Sequence, residues 1–362
     1  MPNGLIELIF VGDILPADRY YTQGFGNGSL YNRTGGSIWQ IDIQKLFANS
    51  DIGFANLESP LVKKRDDAST PFAGDISFSK FLKKNGINIV SISNNHILEH
   101  GEKGFQDTVN TLLNDDLNFV GSTYNRDKPY RILRIKGKRI AIASFNQIHD
   151  FPNPGIYSHM NSEDMQVTLN EIKNERTDVI IFSLHWGDEY IHIPSLQQIT
   201  LAKKLIDNGV NIIVGHHPHV VQPIERYKGG LIIYSLGNFL FGSNWSKKVR
   251  NGIAVRVGMN SNLAIDYKVI PVEMKKNFTI RVGGSEKWIR KTLKNSTEKM
   301  NYMINKGEQY YESHYLTILK REKLLSRLLM KVQMLKDWRK LNSQSKQLFL
   351  DNLKVKILNA NK

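Results

Sequence analysis

Val210-Asn211-Ile212-Ile213-Val214-Gly215-His216-His217-Pro218-His219 joins a short apolar strand to an end crowded with imidazole. Val and Ile favour a pleated, buried backbone, and Gly215 closes the run. An apolar run without polar alternation belongs to a strand covered on both faces, as in a sheet layered with helices. The same design recurs outward along the chain. Predicted strands Leu8–Val11, Ile52–Ala55 and Ile87–Ile92 lead into Gly12-Asp13, Asn56-Leu57-Glu58 and Ser93-Asn94-Asn95-His96. Val179–Leu184 leads into His185-Trp186-Gly187, and Leu231–Tyr234 into Ser235-Leu236-Gly237-Asn238.

Further strands are expected at Asn118–Val120 and Ile140–Phe145, with an antiparallel finish near Ile253–Val257 and Ile265–Val269. Amphipathic stretches at Ile38–Ala48, Phe78–Lys84, Gly104–Asn114, Met165–Asn174 and Leu196–Asn208 predict helices between them. Strands alternating with helices define an α/β fold, whose sites form outside the carboxyl ends of the strands. Taken singly, Asp13 could cap a turn, Asn95 could fix a loop and His185 could be a hydrogen-bonded core histidine. Six such ends in register are not explained by caps and turns; they predict one shared crevice.

The chemistry of that crevice follows from the donors. Asp13, Glu58, Asn95, His185, His217 and His219 offer carboxylate, amide oxygen and imidazole, a set suited to one or two divalent ions of Mn, Fe, Zn or Mg. Pro218 stiffens the segment between His217 and His219, which is expected to be extended. A carboxylate shared by two ions would equip the site for attack on phosphorus. His96, beside Asn95, is placed to protonate the leaving oxygen, making His96 and Asp13 the candidate catalytic residues.

Composition sets the frame. A chain of 362 residues with 41% hydrophobic and 23% charged residues is globular, and no apolar run approaches the ~18 residues of a membrane helix. There is no cysteine, so disulfides, thiolate ligands and a Cys nucleophile are excluded. The start, MPNGLIELIFVGD, reads as a first strand and not as a signal peptide, which gives the expectation of a cytoplasmic protein, peripheral to the membrane at most. Of the +15 net charge, residues 281–362 carry +12, from 19 Lys/Arg against 7 Asp/Glu. In that region Leu325, Leu328, Val332 and Leu335 form one helical stripe, expected to dock a basic helical extension on the core together with Trp338. The sharper alternative is a basic amphipathic helix lying on an anionic membrane or polymer. Nucleic acid is disfavoured, because no reader motif accompanies the charge.

The strand-end motifs resemble the CapA family, proteins of capsule and poly-γ-glutamate synthesis within the calcineurin-like metallophosphatase superfamily. The resemblance spans about residues 5–272 and rests on Gly12-Asp13-Ile14-Leu15, Asn56-Leu57-Glu58-Ser59-Pro60, Ser93-Asn94-Asn95-His96, His185-Trp186-Gly187-Asp188-Glu189-Tyr190, Gly215-His216-His217-Pro218-His219 and Tyr234-Ser235-Leu236-Gly237-Asn238. It implies a metallophosphoesterase-like four-layer α/β sandwich over residues 1–280, followed by a basic helical extension over 281–362. It implies too that Asp13 stands for the first aspartate ligand and Glu58 for the bridging aspartate. Asn95 and His96 would be the asparagine–histidine pair, His185 the lone histidine, and His217 and His219 the final pair.

Two departures stand out: Leu15 replaces a ligand histidine, and Glu58 is one methylene longer than the usual aspartate. The resemblance therefore implies either a divalent-metal-dependent phosphoesterase acting on an anionic polymer or phosphorylated intermediate, or a non-catalytic accessory protein with a degenerate metal site that holds the polymer beside its synthetase.

Other residues have supporting roles in this reading. Arg19 could bind phosphate or carboxylate bidentately. Trp186, Glu189 and Tyr190 could shape the substrate pocket, although core packing explains the aromatic pair equally well. Asn94, His216, Gln222 and Asn238 are expected to orient ligands through hydrogen bonds. His149, His159 and His192 read as structural, and Gly24-Phe25-Gly26-Asn27-Gly28 as a flexible loop near the site mouth.

Overall fold

The structure, a computed structural model, describes residues 5–63, 71–148, 155–341, 343, 346–347 and 350. Its first half runs β1 (Ile6–Ile14), α1 (Asn27–Thr34), α2 (Ser37–Phe47), β2 (Ile52–Leu57), β3 (Leu61–Val62), β4 (Gly74–Asp75), α3 (Phe78–Lys84), β5 (Ile89–Ser91), α4 (Gly101–Asn114), β6 (Asn118–Val120), β7 (Tyr130–Ile135) and β8 (Lys138–Asn146). The second half runs α5 (Ser162–Asn174), β9 (Val179–His185), α6 (Leu196–Asp207), β10 (Ile212–His216), β11 (Ile224–Tyr227), β12 (Gly230–Ile233), α7 (Lys247–Arg250), β13 (Asn251–Met259), β14 (Ile265–Met274), β15 (Ile280–Val282), α8 (Glu286–Asn305) and α9 (Glu308–Asp337).

Two sheets carry the fold, in the orders β15-β14-β13-β1-β2-β5-β6 and β11-β12-β10-β9-β8-β7. In the first, β1, β2, β5 and β6 are parallel, and in the second β8, β9, β10 and β12 are parallel. Antiparallel strands finish the β15 edge of the first sheet and both edges of the second, while parallel β6 closes the other edge of the first.

The strand pattern explains the layering. Along β9, Ile181 joins Leu8, Phe10, Ile142 and Val214 in a core between the sheets, while Ile180, Phe182 and Leu184 face outward to Leu169, Ile199 and Tyr311. Period-2 alternation thus buries both faces. On the far side Trp39, Ile43, Phe78 and Phe105 of α2, α3 and α4 cover the first sheet. Helix, sheet, sheet, helix gives the expected four-layer sandwich. Each fully buried Leu, Ile or Phe contributes ~1.5–3 kcal/mol.

Several short elements escaped the sequence. The edge strands β7, β11 and β15 lack a continuous apolar run, because polar residues such as Arg131, Glu225 and Arg281 interrupt them. The glycine-rich segment expected to be a flexible loop instead turns into α1. The Asp18 carboxylate accepts from the Gly24 and Ser29 amides at 2.8 and 3.0 Å and fixes that turn.

The C-terminal stripe is a correction. Leu325, Leu328, Val332 and Leu335 face solvent, with Leu328 57% exposed. A different face of α9 docks instead, through buried Tyr311 and Tyr315 with Ile318 and Leu319 against the second sheet's helices. Tyr311 Oη donates to the Pro194 carbonyl at 2.6 Å. Aromatic burial plus a satisfied hydroxyl outweighs a leucine stripe that has no partner surface. Among the described residues, no helix is long and apolar enough to cross a membrane.

This assignment of faces predicts that Tyr311→Ala lowers unfolding stability by about 3 kcal/mol or more, whereas Leu328→Gln shifts it by less than about 0.5 kcal/mol. Urea midpoints of the two variants check it; the reverse ranking would put the leucine stripe on the core.

Candidate metal centre

Six parallel strands, three from each sheet, deliver the centre. Asp13 lies on β1 where its register against β2 slips between Phe10 and Asp13. Gly12 makes this possible: a Cβ there would sit 1.8 Å from the Gly237 carbonyl oxygen. The loop after β12 therefore closes on β1, with the Asp13 amide donating to Gly237 at 3.1 Å and the Phe239 amide to Asp13 at 3.0 Å. Asp13 and Glu58 are fully buried, and Asn95, His185, His217 and His219 nearly so.

Two donor groups share one carboxylate. Asp13, Glu58 and His219 bring ligand atoms within 4.8 Å of one another, and so do Glu58, His185 and His217. Ligands around an ion with bonds of about 2.0–2.2 Å stand at most about 4.4 Å apart, so both groups nearly match one coordination sphere each. Asn95 Oδ1 lies 2.9 Å from His185 Nε2 and so borders the second group.

The atoms that would face the ions are the ones left over. Glu58 Oε1, His217 Nδ1 and His219 Nε2 are buried and lack a hydrogen-bond partner among the described residues. His219 Nδ1 faces Asn238 Oδ1 at 2.9 Å and Asp13 Oδ2 at 3.3 Å, so the ring proton belongs there. Its Nε2 lone pair then looks at Glu58 Oε1, 3.6 Å away. Orphaned buried groups cost ~1–3 kcal/mol each. Two divalent cations sharing Glu58, one per donor group, would satisfy these atoms, so the residues present fit the metal.

Titration behaviour points the same way. Burial, then the Asp13 charge, pushes the Glu58 carboxyl well above its ordinary value. Burial works against Asp13 too, but hydrogen bonds and charge from His216 and His219 outweigh it and hold Asp13 well below the usual range. Burial lowers His217 to about 4, and burial together with His217 lowers His185 well below its usual value. Burial thus favours the neutral, coordinating form of His185 and His217 and the protonated form of Glu58.

The supporting residues divide. His216 Nδ1 stands 3.1 Å from Asp13 Oδ1, and Asn238 Oδ1 lies 2.9 Å from His219 Nδ1. Asn94 donates to Asn56 Oδ1 at 3.1 Å and to the Leu57 carbonyl at 2.8 Å. Gln222 does not reach a ligand; it donates to the Ile191 carbonyl at 2.9 Å. Trp186 takes the core-packing alternative. It continues the even-numbered, outward row of β9, stacks on Tyr234 and donates to the Tyr234 carbonyl, away from the crevice.

The His217-Pro218-His219 segment is not extended. His217 and His219 take φ of 91° and 56°, a strained turn at the strand end that leaves the rings 5.9 Å apart. His149 lies outside the described residues.

At the mouth, His96 Nδ1 meets Glu99 Oε1 at 2.7 Å and its ring stacks on Phe72 at 4.4 Å. Its Nε2 is 4.0 Å from Glu58 Oε1. Arg19 is buried nearby, bonded to Ser243 Oγ at 3.0 Å, with its guanidinium over Phe72 and Phe241. Phe241 itself lies 4.5 Å from the His219 ring, which ties Arg19 to the centre.

Asn56 was missed by the sequence reading. Its Nδ2 lies 2.9 Å from Asp13 Oδ1, 3.3 Å from Glu58 Oε2 and 3.3 Å from His185 Nδ1. Its spacing two residues before Glu58, on the same strand face, was the available signal.

Known proteins are similar to this chain. The family model described as bacterial capsule synthesis protein PGA_cap matches residues 7–243. The chain belongs to this family. The capsule biosynthesis protein CapA of Bacillus anthracis is 30% identical over 290 residues, covering 75% of this chain and 68% of that protein. The PGA biosynthesis protein CapA of Bacillus subtilis is 29% identical, covering 75% and 72%. Among solved structures, a calcineurin-like phosphoesterase from Bacillus subtilis superposes with a TM-score of 0.45 at 15% identity, covering 83% of this chain and 100% of that one.

A folded pKa raised above the unfolded value means that the stability tied to the Glu58 proton is present at low pH and lost as pH rises through the raised value. Metal should displace that proton. Calorimetric titration with Mn²⁺ in buffers of different ionisation enthalpy is expected to show a proton released from Glu58 at mildly acidic pH, since burial favours its protonated form. Release that persists unchanged in Glu58→Gln would contradict this assignment.

Proposed function

We propose that this family member is a divalent-metal-dependent phosphoesterase that processes an anionic surface polymer or its phosphorylated precursor, in the context of capsule or poly-γ-glutamate synthesis. The observation that carries the reading is Glu58, one carboxylate shared by two donor groups whose facing atoms have no other partner. Asp13, Glu58 and His219 would hold one ion, and Glu58, Asn95, His185 and His217 the other. Bound divalent ions supply Lewis acidity toward a phosphoryl oxygen and lower the pKa of water.

The chain's own residues do the rest. His96, oriented by Glu99 and by stacking on Phe72, donates a proton to the leaving oxygen. Arg19, fixed by Ser243 and flanked by aromatic rings, binds an anionic substituent of the substrate. Asn56 and Asn94 keep the two carboxylates and His185 in register.

One observation favours a second reading, an accessory protein that binds polymer without turning it over. Leu15 lies in an apolar patch with Ala17, Phe72 and Phe241, where a further ligand would add to the first group. In that case the partner is the polymer or its synthetase, and the basic C-terminal helices would face an anionic surface.

Asp13→Ala and His217→Ala should abolish stoichiometric Mn²⁺ uptake and hydrolysis of a generic aryl phosphate together. His96→Gln should keep the metal while turnover falls by ~10²–10⁴. Elemental analysis paired with the phosphate assay reads both. Tight metal without any turnover in the parent protein selects the accessory reading, and neither metal nor turnover rejects the centre.

A further inference from the structure

The first donor group has three protein ligands, and its Leu15 side is an apolar wall. A further oxygen approaches from elsewhere. Glu189 Oε1 lies 3.7 Å from His219 Nε2, almost the same separation as Glu58 Oε1 at 3.6 Å. Neither distance is a hydrogen bond, and His219 Nδ1 is already occupied by Asn238. One imidazole nitrogen facing two carboxyl oxygens at equal range, both too far away to share a proton with it, leaves a position between them that suits a cation. Glu189 is also the one member of this set that touches solvent, its side chain 36% exposed against 0–1% for Glu58 and His219.

The loop that presents Glu189 is braced on both sides by α9, which lies outside residues 7–243 matched by the family model. Before it, Asp188 accepts from Tyr315 Oη at 3.0 Å and Lys323 Nζ at 2.9 Å. After it, the Tyr190 carbonyl accepts from Lys248 Nζ at 3.1 Å, and Lys248 pairs with Glu322 of α9 at 2.8 Å. The Tyr190 amide donates to Pro218 at 2.8 Å, and Tyr190 takes a φ of 67°, so the loop is locked against the His217–His219 turn.

We propose that Glu189 is a ligand of the first divalent ion, entering from the open side of the centre on a loop held by the C-terminal helix. It adds the oxygen donor that the Leu15 side lacks. The proposal rests on the two-ion reading above. It makes α9 a positioning element of the centre, acting through Asp188 and Tyr190.

The test is metal binding by the full chain, stripped of metal and titrated with Mn²⁺, with stoichiometry from elemental analysis and the visible spectrum of the Co²⁺-loaded protein as a second readout. Glu189→Ala and the isosteric Glu189→Gln, checked for folding by circular dichroism, should lose one of two ions or weaken one site by about 100-fold or more. That exceeds the ~10–100-fold typical of losing an outer partner. Their Co²⁺ spectrum should change, while His217→Ala disturbs the other ion. The double variant Tyr315→Phe, Lys323→Ala should weaken the same site by ~10-fold, with Lys323→Arg restoring most of it.

Two ions bound with parental affinity and an unchanged Co²⁺ spectrum in both Glu189 variants would overturn the Glu189 assignment alone. No divalent ion bound by the parent protein would overturn the two-ion reading with it.

Discussion

Two carboxylates buried side by side govern this molecule. Asp13 and Glu58 are both fully buried and joined through the Asn56 amide, in a centre where burial also favours the neutral form of His185 and His217. Burying one unpaired charge is costly, and burying two of the same sign is more so. The chain itself offers incomplete relief: hydrogen bonds from Asn56 and His216, a backbone amide from His217, and a proton on Glu58. A cation relieves what remains, which is why the centre makes physical sense as a metal site and little sense as a structural polar core.

The sandwich exists to bring that pair together. Parallel strands put all their carboxyl ends on one side of a sheet, and stacking two such sheets sets three ends opposite three others. Gly12 then lets the loop after β12 close on β1 until Asp13 and Asn238 form a bridge. From that bridge Asn238 orients His219, so a single close backbone approach fixes ligands of both sheets. The positive φ at His217 and His219 turns the chain at the end of β10, where both rings enter the centre.

What the sequence made legible follows from burial. Strands covered on both faces are unbroken apolar runs, so their ends, and with them Asp13, Glu58, Asn95, His185, His217 and His219, could be read directly. Edge strands are half-polar, and β7, β11 and β15 were invisible for that reason. Trp186 stayed open between pocket and core because position beside His185 says nothing about facing: neighbours on a strand point to opposite sides. Asn56 was passed over as a motif spacer, although its period-2 relation to Glu58 put it on the ligand face. The docking face of α9 could not be read at all. Its leucine stripe is the more hydrophobic pattern, and only the shape of the second sheet's helix layer selects Tyr311 and Tyr315 in its place.

The Leu15 substitution is best judged by charge. A histidine ligand in such a site is neutral, so its loss lowers the number of donors without touching the electrostatic demand set by Asp13 and Glu58. The apolar patch of Leu15, Ala17, Phe72 and Phe241 replaces a polar group with low-dielectric wall, which strengthens every remaining charge interaction across the crevice. That wall also backs His96 and the Arg19 guanidinium, the two groups best placed to meet a substrate. A missing imidazole therefore argues for altered geometry at one ion, not for an abandoned site: a chain that had lost its need for metal would have no reason to keep two buried carboxylates facing the same imidazole.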